Sequence, residues 1–108
     1  MTAPSARYAM LSDPGHGWLL VSSADLRAVG LSCRSFSPYS YRRGDAYALE
    51  EDCDATIFLR AYRQRVGLEP IIDDQHVNTD APCRSWQGVH EQDALAYGDL
   101  LAKQRAAR

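Results

Sequence analysis

Short apolar or alternating runs, separated by turn residues, occupy much of the first half of the chain and predict two β-hairpins. Residues 7–12 alternate loosely and residues 18–21 are apolar, while the segment 13–17 between them contains the Pro and Gly that favour a turn. Residues 39–42 and 46–49 form a second such pair around an Arg-Gly-Asp turn. The connection of the first hairpin is expected to be four or five residues long.

Apolar positions spaced by three and four residues predict a main helix over residues 52–66. Acidic residues crowd its start, arginines crowd its end, and Gly67 follows it, which is the order that a helix dipole and a glycine stop favour. A shorter helix is predicted over 22–30, with a serine cap and a terminal glycine. A third is predicted over 90–107. The core-facing positions expected on the main helix are Ala55, Phe58, Leu59, Tyr62 and Val66.

These elements predict one α+β domain over residues 1–108, with the last few residues frayed. The expected order is β-β-α-β-β-α-β(-β)-α, with a small antiparallel sheet of two hairpins packed on one side by the main helix. Residues 68–72 contain Pro70 and are expected to form at best an edge strand. A short strand is predicted near 75–78, and the rest of 73–88 is expected to be loop.

Composition and charge narrow the function classes. The chain has 12 Lys and Arg against 14 Asp and Glu, a net charge of −2. This balance argues against a phosphate-gripping surface and against an acidic mimic of DNA. Three cysteines without a CxxC spacing predict thiols that are not in disulfides, in a reducing compartment. No signal peptide or membrane span is apparent, so the sequence predicts a cytoplasmic protein. No cofactor and no metal are expected, because the spacings of a calcium loop and of a His-paired cysteine site are absent from the sequence.

Three motifs carry a resemblance to a known family. The segments DPGHGWL at 13–19, YSY at 39–41 and LEEDCDA at 49–55 stand in this order in the chain. In these motifs the chain resembles a family of small uncharacterised bacterial proteins (a domain of unknown function), which often lie on phages, plasmids and other mobile elements. The resemblance covers about residues 8–66, with a weaker match around Asn78 and Ser85. Two departures are Pro38 before the tyrosine pair and Ala48 where the family has tyrosine. The resemblance implies, by analogy, modulation of a bacterial host through a protein partner.

The His16 turn and the acidic start of the main helix are predicted to meet at one end of the sheet. The leading hypothesis is therefore a non-enzymatic protein-interaction surface there, bound by another protein, although a homodimer stays open. Its acidic residues are also expected to cap the helix and to compensate its dipole. The predicted binding residues are Asp13, His16, Trp18, Tyr39, Tyr41, Glu50, Glu51, Asp52 and Asp54.

Two alternatives remain open from the sequence. The first is a small hydrolase or metal-dependent enzyme that uses His16 with Glu51 or Asp52, because histidine and carboxylates supply general bases and metal ligands. The second is nucleic-acid binding through a tyrosine and arginine hairpin, in which the rings would stack on bases. The residues of that hairpin are Tyr39, Tyr41, Arg42, Arg43 and Tyr47.

Overall fold

The computed structural model describes residues 3–90, which form an α+β fold with a six-stranded mixed sheet. The strand order in the sheet is β5-β1-β2-β4-β3-β6. The strands are β1 (Arg7–Ser12), β2 (Gly17–Ser22), β3 (Tyr41–Arg43), β4 (Ala46–Glu50), β5 (Ile71–His76) and β6 (Gln87–Gly88). The helices are α1 (Ser23–Ala28) and α2 (Asp54–Val66), and single 3-10 turns cover Cys33–Ser35 and Pro82–Ser85.

Both predicted hairpins are confirmed. β1 pairs antiparallel with β2, and four residues, 13–16, connect them. β3 pairs antiparallel with β4, and Gly44 in their turn has a φ of 58°, a conformation that glycine adopts without strain. β2 pairs with β4 and joins the two hairpins into one sheet.

The prediction of an antiparallel sheet is wrong at one edge, because β5 runs parallel to β1. α2 carries the chain from the end of β4 back across the sheet, so β5 starts at the same end as β4. β1 has the same direction as β4, and β5 therefore meets it in parallel. The edge strand predicted near Pro70 is confirmed, since β5 is the outermost strand of the sheet and begins at Ile71, directly after Pro70. The strand expected at 75–78 is the end of β5.

α2 covers one face of the sheet and begins two residues later than predicted. Ala55, Phe58 and Tyr62 are buried as expected, and the Tyr8 ring on β1 meets the Phe58 ring edge-on at 5.2 Å between centroids. Leu59 is half-buried. Val66 was expected in the core but is 38% exposed, in the last turn of the helix. α1 also fits the prediction, since Ser22 caps it and Gly30 has a φ of 78°.

The opposite face of the sheet is covered too, which the one-sided packing prediction missed. Trp18 on β2 and Ala48 on β4 pack there against Ala81 and Cys83, from the segment that follows β5. Residues alternate between the faces along each strand, so β2 and β4 supply apolar side chains to both cores. The segment after β5, which was predicted as loop, therefore forms a second layer on this face of the sheet.

The sequence also gave predictions for a C-terminal helix, for the cysteines and for membrane spans. The predicted C-terminal helix over 90–107 falls almost wholly on residues outside the described range. No disulfide joins the three cysteines, of which Cys83 is buried, Cys33 half-buried and Cys53 exposed. Within residues 3–90 no helix is both long and apolar enough to cross a membrane.

Candidate functional site

A cleft of about 370 Å³ lies at the end of the sheet where the β1–β2 turn and the start of α2 meet. The register of the strands explains the meeting, because Trp18 at the start of β2 is directly opposite Glu50 at the end of β4. The volume of the cleft is at the low end of the range for ligand pockets. The cleft is lined by His16, Trp18, Pro38, Tyr39, Tyr41, Glu50, Asp52, Cys53 and Arg84.

Asp13 holds the His16 turn in place. Its side chain is 1% exposed, and its Oδ1 accepts the backbone N–H groups of Gly15 at 2.9 Å and His16 at 3.0 Å. Its Oδ2 accepts the N–H of Ala81 at 2.9 Å. Arg84 donates to both carboxylate oxygens through Nε and Nη2. One carboxylate thus fastens the turn to the segment that covers the sheet.

The Asp13–Arg84 pair is a fixed ion pair. The hydrogen bonds from Arg84 hold the pKa of Asp13 well below its usual range, against the opposing effect of burial, and the three backbone N–H groups lower it further. The same hydrogen bonds raise the pKa of Arg84. Both groups are charged at neutral pH, and Asp13 compensates the one guanidinium that lines the cleft.

Asp54 fixes the segment of residues 37–40, which carries Pro38 and Tyr39 of the cleft lining and is called the Tyr39 wall below. It is 1% exposed and accepts hydrogen bonds from the backbone N–H of Ser37 at 3.0 Å, from Ser37 Oγ at 2.7 Å and from Ser40 Oγ. Ser40 Oγ in turn accepts the backbone N–H of Glu50 at 3.0 Å. Pro38 and Tyr39 stand between the two serines. Their position at the cleft is therefore fixed from inside the protein.

Glu50 shapes the entry into α2. Its Oε2 accepts the backbone N–H groups of Asp52 and Cys53, both at 3.1 Å. These bonds turn the chain before the helix, which explains why α2 begins at Asp54. The side chain of Cys53 makes no capping hydrogen bond, although the residue stands at the N-cap. Glu50 thus satisfies two amides that precede the helix, and the capping hydrogen bond predicted from the acidic cluster is absent at the N-cap of α2.

Aromatic rings form the walls of the cleft. The ring of Trp18 lies 6.1 Å from that of His16 and 6.1 Å from that of Tyr41, and the Arg84 guanidinium stands 4.9 Å over it. Trp18 is 2% exposed, and its indole N–H has no partner in the described part of the chain. Tyr39 is 70% exposed at the rim. Such a combination of Trp, Tyr and Arg is typical of protein recognition sites.

The nine predicted binding residues separate into two groups. Five of them, namely His16, Trp18, Tyr39, Tyr41 and Asp52, line the cleft without holding its loops together.

The other residues need correction as surface groups. Asp13, Glu50 and Asp54 are buried and accept internal hydrogen bonds, although Glu50 also lines the cleft. Glu51 is exposed outside the cleft lining, with its carboxylate beside Gly17.

Sequence reasoning missed Arg84 and did not assign Pro38 or Cys53 to the site. Arg84 is far from the motifs along the chain, in a segment predicted as loop, and no local pattern marks it. One signal was available for Asp13, because an aspartate before a Pro-Gly turn commonly accepts the amides two and three residues ahead. That signal would have identified Asp13 as a structural residue.

Two observations concern the metal site and the tyrosine hairpin of the alternative hypotheses. No group of three His, Cys, Asp or Glu side chains within residues 3–90 is arranged to hold a metal ion. Tyr41 and Tyr47 lie on opposite faces of the sheet, and Tyr47 is buried beneath the Arg42 guanidinium. The described residues therefore present neither a metal centre nor a continuous tyrosine platform for bases.

Comparisons with family models, with curated proteins and with solved structures found no match to this chain.

Proposed function

We propose that the protein is a non-enzymatic interaction protein that captures a segment of another protein in the aromatic cleft. The observation that carries this proposal is the convergence of four rings, those of His16, Trp18, Tyr39 and Tyr41, on one cleft with an internally braced frame. A braced site loses little conformational freedom on binding, which favours affinity.

The exposure of Tyr39 supports a protein ligand in particular. A tyrosine that is 70% exposed beside a buried tryptophan resembles the aromatic anchors at the centre of protein interfaces. The resemblance to proteins of mobile elements adds the proposal that the partner is a bacterial host protein.

Selection from a random peptide display library tests the proposal. Wild-type protein is the bait, and Tyr39→Ser and Leu68→Ser are the comparison baits. Leu68 is a matched control, because it is 71% exposed but lies outside the cleft lining.

We expect peptides that bind wild type and Leu68→Ser alike and bind Tyr39→Ser about tenfold or more weakly. The proposal is contradicted if every enriched peptide binds Tyr39→Ser as well as wild type.

A further inference from the structure

The cleft is acidic as well as aromatic, and this combination identifies the chemistry of its occupant. Resting on the proposed function, we infer that the captured segment inserts a basic side chain, arginine in the first place, between Tyr39 and the start of α2. The inference depends on the charges that line the cleft and on which of them are already compensated within the described residues.

The charge count of the lining favours a cation. Arg84 supplies the guanidinium among the described lining groups, and Asp13 neutralises it through two hydrogen bonds. Glu50 and Asp52 also line the cleft, and no ion pair within residues 3–90 joins either of them to a basic side chain. Among the Arg, Asp and Glu side chains of the lining taken together with Asp13, one positive charge faces three negative ones. A cation therefore enters a site with a surplus of negative charge.

The aromatic walls favour the same ligand. The faces of tyrosine and tryptophan carry partial negative charge and attract cations. Arg84 demonstrates this inside the protein, because its guanidinium stands 4.9 Å over the ring of Trp18. Tyr39 and Tyr41 offer further rings in the same cleft. A planar guanidinium stacks on such rings and forks to a carboxylate, which an ammonium does less well.

The charge of Asp52 can be tested without disturbing the fold. Asp52 is exposed, and its side chain makes no hydrogen bond or ion pair with another described residue. Asp52→Asn therefore removes the charge and keeps the shape. Asp74→Asn is the matched control, because Asp74 is an exposed aspartate on β5 that does not line the cleft.

The experiment uses a synthetic peptide library whose central residue is fixed as arginine, lysine, citrulline, norleucine or glutamate, with mixed flanking residues. Binding is followed by the fluorescence of Trp18 in a Trp86→Phe background, where it is the remaining tryptophan of two. Citrulline is the decisive comparison, since it has the shape of arginine without its charge.

We expect the arginine sublibrary to bind best, and about tenfold more tightly than the citrulline one. Asp52→Asn should reduce that ratio, added salt should reduce it too, and Asp74→Asn should leave it unchanged. Equal binding of the arginine, citrulline and norleucine sublibraries, with all of it lost in Tyr39→Ser, would overturn the basic ligand and leave the proposed function standing. If no sublibrary distinguishes wild type from Tyr39→Ser, both proposals fail.

Discussion

The two ends of the sheet use the same device, a buried aspartate that gathers backbone N–H groups, and yet they differ in what they leave exposed. At the far end, Asp25 completes the capping box of α1 with Ser22 and also accepts the backbone N–H of Ser5 at 2.9 Å. At the cleft end, Asp13 gathers three backbone N–H groups and the guanidinium of Arg84.

The difference lies in the walls around each aspartate. The depression at the Asp25 end is bounded mainly by strand residues and polar side chains, and Tyr8 is its one ring. The cleft at the Asp13 end collects four rings, whereas both ends have an exposed carboxylate, Asp52 in the cleft and Asp45 in the depression. Buried carboxylates thus hold loops at both ends, and the capacity to bind a partner depends on the side chains that those loops present.

The largest expected effect on thermal stability comes from replacing Asp13 or Asp25, one at a time. Asp13→Asn leaves the Arg84 guanidinium without its counter-charge, and we expect the Tm to fall by more than about 10 °C. Asp25→Asn weakens a helix cap and should lower the Tm by about 5 °C. Thermal unfolding followed by circular dichroism at neutral pH measures both. An equal loss in the two variants would remove the distinction between the two ends.

A smaller loss of stability is expected when the hydrogen bonds that hold the Tyr39 wall are removed. Ser40→Ala removes a donor to Asp54 and the acceptor for the N–H of Glu50, so we expect the free energy of unfolding to fall by about 1–3 kcal/mol. Ser85→Ala is the control, since the hydroxyl of that exposed serine donates to the carbonyl of Pro82 and to no other group within residues 3–90, and it should cost less than about 0.5 kcal/mol. Urea unfolding measures the difference. Similar values for both would show that the wall is not braced from inside.

Acid should weaken both ends. The pKa of Asp13 is lowered by its hydrogen bonds with Arg84, and the hydrogen bonds from Ser5 and Ser22 outweigh burial and lower that of Asp25. A carboxylate with a lowered pKa in the folded state stabilises the protein above its unfolded pKa of about 4 and loses this effect as the pH falls.

The urea midpoint should therefore stay level from about pH 7 to 5 and then decline toward about pH 3. The decline should be shallower in Asp13→Asn, where one of the two groups is absent. A midpoint that rises on acidification would contradict the assignment of either carboxylate.

Local parts of this fold followed from the sequence, and long-range parts did not. The two hairpins, α1 and α2 are marked by alternation, by caps and by helical spacing, which all act over a few residues. The parallel pairing of β5 with β1 joins residues about sixty positions apart, and no local pattern encodes it.

The site shows the same division. His16 and Asp52 were expected to meet, because adjacent strand ends bring their segments together, and the cleft contains both. The roles of Asp13 and Asp54 depend on partners that lie 71 and 17 residues away, Arg84 and Ser37. An exposed carboxylate and a buried one look alike in a sequence, so the acidic cluster could not be divided into structural and binding groups beforehand.

The smallest perturbation is thiol labelling of the wild-type protein, which compares the accessibility of a cysteine in the cleft with that of a cysteine in the core. Cys53 is exposed in the cleft lining, whereas Cys83 is buried and its burial raises its pKa to about 11. We expect iodoacetamide to modify Cys53 in the folded protein and to reach Cys83 only after unfolding, because the thiolate is the reacting form. Peptide mapping by mass spectrometry distinguishes the sites. Modification of Cys83 at the rate of Cys53 would contradict the second apolar layer.

Protection of Cys53 by a selected peptide tests most directly whether the bound segment lies in the cleft. We expect the peptide to slow alkylation of Cys53 in wild type and in Leu68→Ser, and to have no effect on it in Tyr39→Ser. Alkylation of Cys53 at the same rate with and without saturating peptide in wild type would place the ligand elsewhere and contradict the account.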